Sequence, residues 1–420
     1  MNQPAPAAIQ ATIRETISRI LTRVNALSAG GPGWTRPSYS DLESSAHALI
    51  EEEVLRLGLE VSRDEAGNLF ARLRGSDPAA TPLYVGSHLD TVSQGGAYDG
   101  QAGVAAAMAL AACFHATGTR PKMDFVVTVT RAEESVWFPA SYIGSRGALG
   151  RLTRQDMEVT RADTGQSLAE HMRAQGYDPE AALARTPPPP AQFLEFHIEQ
   201  GPVLHSAGEP YGLVTAIRGG LRYRNARIDG VWAHSGGAPR EGRADAVIAF
   251  ADLAMAMEQV WDEMLAQGHD LTVTFGRVDA ASPVHAMAKV AGTLGFCVDL
   301  RSENNATLDE AERRLRAEIA RIEIARPGIG FQLGAQSRSQ PAQLSEAMVA
   351  LAASGAARLG HAPRRMRAGG GHDAAAFAMA GWESTMIFIR NWNGSHNPDE
   401  AMDEADLALA VEALWAALAP

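Results

Sequence analysis

The chain has 420 residues, 46% of them hydrophobic and only 20% charged, a composition that suits a folded globular protein and excludes long disordered tracts. That length exceeds what one hydrophobic core usually spans, so two domains are expected. A formal net charge of −12 argues against nucleic acid or an anionic membrane as partner, since both call for a basic patch. The start shows no signal-peptide pattern, and no apolar run reaches the ~20 residues of a membrane helix. A soluble, cytoplasmic protein is therefore expected. Cys113 and Cys297 both lie in apolar runs, which predicts buried free thiols rather than a disulfide framework.

Residues 8–27 and 41–58 have helical apolar spacing. Short strands are predicted at 67–73 and 82–88, a helix after Asp99, and a strand over 123–132. Strands alternating with helices predict an α/β fold with a mostly parallel sheet. Such sheets present ligand-binding groups at the carboxyl ends of their strands. A further apolar strand, 193-FLEFHIEQGPVL-204, carries His197. After about residue 211 the texture changes. LRYRNARIDG, the helical 244–267, LTVTFGRVDA, GTLGFCVDLRS, the helical 307–325 and IGFQLGAQS give a β-α-β-β-α-β order, a self-contained two-layer α+β sandwich. It interrupts the first domain, which resumes with helices at 344–361 and 373–380 and a strand, TMIFIRNWNGSHN, ending in a histidine. The expected division is 1–211 with 337–420 against an inserted 212–336. The proline run at 187–190 reads as a rigid surface loop.

Taken singly, the polar residues near these strand ends have bland explanations. His88 could be a hydrogen-bonded core histidine, Asp99 a helix cap, and Glu133, Glu134 and His396 ordinary surface groups. They recur, however, at one structural place: His88, Glu134, His197 and His396 each follow a hydrophobic strand, and Asp99 opens the helix after the first. Three imidazoles and two carboxylates gathered on one sheet edge must be paired or bound to something. Their nitrogen and oxygen donors suit Zn²⁺, with Mn²⁺, Co²⁺ or Ni²⁺ as alternatives. Five residues are too many for one tetrahedral catalytic zinc, but with one bridging carboxylate they suit two ions ~3.5–4 Å apart.

The motifs GSHLDTV…GG-x-x-DG, Glu133–Glu134, HIEQGPVL, HSGGAPREGRADA, GGGHDAAAFA and GSHNPDE occur in that order. Over roughly residues 10–415 the chain resembles the hydantoinase/carbamoylase group of the M20 metallopeptidase-like amidohydrolases. That group includes N-carbamoyl-L-amino acid hydrolases, β-ureidopropionases and allantoate amidohydrolases. The resemblance implies metal ligands at His88, Asp99, Glu134, His197 and His396. Asp99 would bridge, and His88 and His197 would be the outer histidines of opposite halves, with Glu134 and His396 as their partners. It implies that Asp90 fixes the His88 tautomer and that Glu133 is the general base. It implies that His234, in the inserted lid and dimerisation domain, reaches a partner subunit's site to stabilise the oxyanion. Gln200 and Arg301 would contact substrate, with Arg301 clamping a carboxylate, and His372–Asp373 would lie just behind the ligands.

The implied protein is a homodimer with two divalent ions per subunit and a small carboxylate-bearing substrate. It would hydrolyse the C–N bond of N-carbamoyl L-amino acids or related ureido compounds. An M20-type aminoacylase or dipeptidase is the nearest alternative, and a non-catalytic metal-stabilised binder a more distant one. Three stretches depart from the group's pattern. Ser135-Val136-Trp137-Phe138 stands where Gly-Ser/Ala-Arg-Phe is usual. Ala288, in 287-MAKVAG-292, stands where an asparagine is usual, and Ile389-Arg390-Asn391 replaces Val-Pro-Ser. They bear on which substrate is held rather than on the hydrolysis.

Overall fold

The computed structural model describes residues 6–28, 30–281 and 283–419. The chain divides into two compact units. Residues up to Thr215 and from Gln343 onward form the first, and Ala216–Ala342 form the second. No helix among the described residues is long and apolar enough to cross a membrane.

The first unit is built on four adjacent parallel strands in the order Phe125–Thr130, Leu83–His88, Gln192–Ile198 and Glu383–Ile389. They read as near-continuous apolar runs because both faces are covered. Antiparallel strands flank them: Leu69–Leu73 with Glu60–Arg63 on one side, Tyr211–Ile217 on the other. The alanine-rich helix Gln101–Thr117 is buried along most of its length. It packs between the sheet and the helices Pro6–Asn25 and Glu404–Leu418, where Ile13, Ile17, Leu110, Val127 and Leu414 share one core.

The predicted strand at 67–73 is the second half of a hairpin. The strand predicted over 193–204 stops at Ile198 and gives way to the helix Val203–Ala207. The switch has a local cause: the Glu199 carboxylate accepts the backbone N–H groups of Val203 and Leu204 at 2.8 and 2.7 Å. The last parallel strand ends at Ile389, short of His396. Arg390 turns away to pair with Asp406 at 2.7 Å, and the chain continues through the bridge between Asn391–Trp392 and Ala401–Met402.

The second unit carries an antiparallel sheet whose main order is Val278–Asp279, Thr293–Ser302, Gly219–Asp229 and Gly330–Gln332. The helices Ala246–Ala266 and Asn305–Ala325 cover one face. Alternate residues of Thr293–Ser302 are buried. Phe296, Val298 and Leu300 meet Leu253, Met257 and Leu315 in the core. The same alternation corrects the expectation for Cys297. It falls on the other face of the strand and is only half-buried, while Cys113 is buried as expected.

A buried ion pair fixes the exit of the strand Phe125–Thr130. Arg131 Nη1 lies 2.7 Å from Glu43 Oε2, with both side chains almost wholly excluded from solvent. Glu43 also accepts the backbone N–H groups of Tyr39 and Ala132, and Arg131 donates to the Gly67 carbonyl and to Tyr177. Removing one partner strands a buried charge, at a cost of about 3–5 kcal/mol. Glu43→Ala is therefore expected to lose about that much stability in urea unfolding. Glu60→Ala, at the exposed Arg74 pair, should leave the transition where it is. Equal effects of the two would show that the buried pair is not what holds this exit.

Candidate metal centre

The carboxyl ends of the parallel strands gather the candidate residues. His88 closes Leu83–His88 and is level with Thr130 on the neighbouring strand. His197 is the penultimate residue of Gln192–Ile198. Asp99 precedes the helix Gln101–Thr117, whose cap is Gly100 with no side-chain hydrogen bond, so Asp99 is free of capping duty. Gly100 has φ +70°, and a Cβ there would sit 2.4 Å from the His88 ring. At Gly96 a Cβ would lie 2.0 Å from the Glu400 carboxylate. The GG-x-x-DG pattern thus lets a histidine and a carboxylate close in on Asp99 from two sides.

The Asp99 carboxylate faces two ways. Its Oδ1 lies 3.5 Å from His88 Nε2 and 3.2 Å from His197 Nε2. Its Oδ2 lies 3.5 Å from His396 Nε2, which is itself 3.5 Å from Glu134 Oε1. Two groups of potential ligands result, His88–Asp99–His197 and Asp99–Glu134–His396, and within each the donor atoms lie within 4.8 Å of one another. This grouping corrects the expected one: the two strand histidines face the same oxygen rather than opposite halves. Glu133 is beside the first group, its Oε2 4.0 Å from His88 Nε2.

Backbone carbonyls orient both strand histidines. His88 Nδ1 is 3.0 Å from the Asp90 carbonyl and His197 Nδ1 is 2.9 Å from the Ile198 carbonyl. A carbonyl only accepts, so each Nδ1 carries a proton and each Nε2 faces Asp99, an approach that needs a proton or a cation between the two atoms. Asp90 therefore acts on His88 first through its own carbonyl; its carboxylate is 3.3 Å from Nδ1. That carboxylate has a second task, accepting the backbone N–H groups of Glu133 and Glu134 at 3.1 and 3.2 Å and the Ser38 hydroxyl.

Sequence reasoning missed three supporting residues. Glu400, the end of the GSHNPDE run, is buried and accepts the backbone N–H groups of Tyr98 and Asp99 at 3.0 and 3.2 Å. The Ser395 hydroxyl lies between Asp99 and Glu400, 2.8 and 2.7 Å from their carboxylate oxygens, with one proton to share. Asn391 accepts the Gln200 N–H at 3.0 Å and donates to the Gly394 carbonyl at 2.8 Å. Gln200, at φ +59°, donates its amide to Asp99 Oδ2 at 2.7 Å. Behind His197, the buried His372 packs edge-on with ring centroids 4.4 Å apart. Its Nε2 has no hydrogen-bond partner, and Asp373 is held by Thr130 and Ser145. Glu195, His197 and His372 form a third group, but Glu195 is already satisfied by Ser87 and by the backbone of Ala374.

The electrostatics are those of a negative hole. Burial alone would raise Asp99, yet the charge and hydrogen bonds of His197, His396 and His88 hold it well below the usual carboxylate range. Burial opposes charge on His88 and His197, but hydrogen bonds with Asp90 and Asp99 raise the first well above its ordinary value, and the Asp99 charge raises the second. The hydrogen bond with Asp99 lifts His396 to about 9. Burial and the Asp99 charge push Glu134 to about 7, and burial pushes Glu133 well above the ordinary range. Four carboxylates against three imidazoles draw in positive charge, as protons or as a divalent cation.

His234 and Arg301 belong to the second unit. His234 lies in the bridge between Ala233–His234 and Lys289–Val290. It is exposed, and its Nδ1 accepts the backbone N–H groups of Gly236 and Gly237 at 3.2 and 3.0 Å. Ala288 adjoins it, with the Ala288 carbonyl accepting the Ser235 N–H at 2.9 Å. Arg301 donates through Nε and Nη2 to one oxygen of Asp299, at 3.0 and 2.9 Å.

Residues 84–419 match the peptidase family M20/M25/M40. An allantoate amidohydrolase from Escherichia coli (strain K12) is 32% identical over 387 residues, covering 91% of each chain. An N-carbamoyl-L-amino acid amidohydrolase from Geobacillus stearothermophilus is 31% identical, covering 91% of this chain and 92% of that one. The crystal structure of a hydantoinase/carbamoylase family amidase from Burkholderia ambifaria superposes with a TM-score of 0.84 at 29% identity over 96% of each chain. The chain belongs to the M20 family. It is a metal-dependent hydrolase of that family, acting on amide or ureido C–N bonds other than peptide bonds.

Because Glu400 holds the Asp99 backbone without touching the paired histidines, Glu400→Gln tests whether that support matters. Losing such an outer partner typically costs 10–100-fold in metal affinity. Calorimetric titration of the metal-stripped protein with Mn²⁺ should show a loss in that range. Unchanged affinity would mean that Asp99 is positioned by other means.

Proposed function

We propose that the protein is a binuclear amidohydrolase that cleaves N-carbamoyl L-amino acids, or closely related ureido compounds, in the cytoplasm. The observation that carries the reading is the Asp99 carboxylate, one oxygen facing His88 and His197 and the other His396, with Glu133 alongside. The donor set of imidazoles and carboxylates fits two ions of borderline softness, Zn²⁺ foremost, with Mn²⁺, Co²⁺ or Ni²⁺ also suited. Bound there, such ions would polarise the scissile carbonyl and lower the pKa of water.

The chain's own residues supply the rest. Glu133, raised by burial, takes a proton from the attacking water and passes it to the leaving nitrogen. His234 donates to the oxyanion: with Nδ1 accepting two backbone N–H groups, Nε2 is the ring's donor. Gln200 and Arg301 hold the substrate, Arg301 through its carboxylate. The products are the amino acid, CO₂ and ammonia.

The inserted unit supports a homodimer reading, in which His234 serves the partner's site. On its helix Ala246–Ala266, Ile248 and Met255 are 44% and 63% exposed and lie seven residues apart on one face. The relatives' ureido substrates favour this reading over an aminoacylase or dipeptidase, and a base beside the ligands has no use in a metal-stabilised binder.

Chelation should abolish turnover, and added Mn²⁺, Co²⁺, Ni²⁺ or Zn²⁺ should restore it. Glu133→Gln should keep its metal content by elemental analysis and lose at least about 10²-fold in turnover. Glu134→Gln should instead lose metal. The reverse pattern would exchange the two roles.

A further inference from the structure

We infer that the substrate's side chain is apolar, and that it is received by a cavity of about 500 Å³ walled by Val92, Val136, Trp137 and Ala162 beside His396. The inference rests on the amidohydrolase reading above and names the substrate class within it. It selects an aliphatic or aromatic N-carbamoyl L-amino acid over one carrying a carboxylate side chain, and over a compound with a second ureido group.

The position of the cavity comes first. Of the residues grouped around Asp99, His396 is the open one: its side chain is 47% exposed, against 2% for His88, 1% for His197 and 6% for Glu134. Within the first unit the site therefore opens to solvent past His396, and His396 is itself a wall of this cavity. A substrate whose reacting carbonyl lies between the two groups has its next atoms there. The volume falls within the ~300–1,000 Å³ usual for small-molecule sites.

The chemistry of the walls comes second. Val136, 51% exposed, presents bare methyl groups beside the indole of Trp137. The charged side chain Asp163 also reaches the cavity, but Arg161 holds it in a two-pronged pair, Nε to Oδ1 at 2.8 Å and Nη2 to Oδ2 at 3.2 Å. No lysine or arginine lines the cavity among the described residues. Among the same residues Ser93 is the one hydroxyl on the wall. A carboxylate would find no cation there, and a ureido group, with two nitrogen donors and a carbonyl, would find that single hydroxyl and the already paired Asp163, with the rest of its polar atoms against valine, alanine and indole.

The walls are also fixed in advance. Trp137 Nε1 donates to the Thr91 carbonyl at 2.6 Å, and the Ala162 N–H donates to the Trp137 carbonyl at 2.9 Å. The elements carrying Val92, Trp137 and Ala162 are thereby tied together, so an apolar side chain enters a formed pocket with little ordering cost.

The test uses full-length, Mn²⁺-loaded protein and two parallel series. These are the N-carbamoyl and the N-acetyl derivatives of glycine, L-alanine, L-leucine, L-phenylalanine and L-aspartate, with allantoate added. In whichever series is hydrolysed, kcat/KM for leucine and phenylalanine should exceed that for glycine by about ten-fold or more, with aspartate and allantoate lowest. Val136→Arg, at an exposed position, should raise the aspartate-to-leucine ratio by about ten-fold. Calorimetric binding of the same derivatives reads the preference even where neither bond is cut. Cleavage of the acetyl series alone, with leucine far above glycine, would overturn the carbamoyl reading and keep the pocket. Cleavage of the carbamoyl series with no side-chain preference, or with aspartate or allantoate leading, would keep that reading and overturn the pocket.

Discussion

The site depends on one buried carboxylate being shared between two directions. Asp99 turns one oxygen to the histidines of two parallel strands and the other to a histidine from a distant loop. A carboxylate in that position is held at its Oδ2 by Gln200 and Ser395 and also through its backbone. Glu400 supplies that hold on the N–H of Asp99, and two glycines give Glu400 and His88 the room to approach. The arrangement puts several acids close together, and each would be costly alone. A cation between them is the charge this geometry calls for.

The sheet and the loops contribute differently. Parallel strands fix His88 and His197 by register, so their placement follows from the same hydrogen bonds that build the core. Three loop residues at the site hold a left-handed conformation that non-glycine residues rarely adopt: Ala132 just before Glu133, Gln200 three residues after His197, and His396 itself. The buried Arg131–Glu43 pair, Asp90 under the Glu133–Glu134 backbone and Asn391 under Gln200 hold these turns. Strain of this kind persists where surrounding contacts over-determine it, and such places cluster at functional sites.

Much of this was legible in the sequence. The alternation of strands and helices predicted the parallel sheet, and a histidine or acid at successive strand ends marked the candidate cluster. The inserted sandwich was readable from its element order. The grouping around Asp99 was not, because which histidine faces which oxygen depends on strand order in space rather than on order along the chain. Glu400 closes the GSHNPDE run with nothing in the pattern to mark its role, since its work is to accept two backbone N–H groups and to meet the Ser395 hydroxyl. Asn391 looked like a departure from a family pattern and proved to be a support for Gln200. His396 lies seven residues past its strand because Arg390 leaves the sheet for Asp406. Cys297 was misplaced because an apolar run hides the alternation that puts its side chain on the other face.

In the proposed enzyme Asp99 would bridge two metal ions, one with His88 and His197, the other with Glu134 and His396. Crystals of the Mn²⁺-loaded protein, measured for anomalous scattering, test it most directly. Two peaks ~3.5–4 Å apart should flank the Asp99 carboxylate, each beside its own pair of residues. A single peak, or one lying among Glu195, His197 and His372 instead, would contradict it.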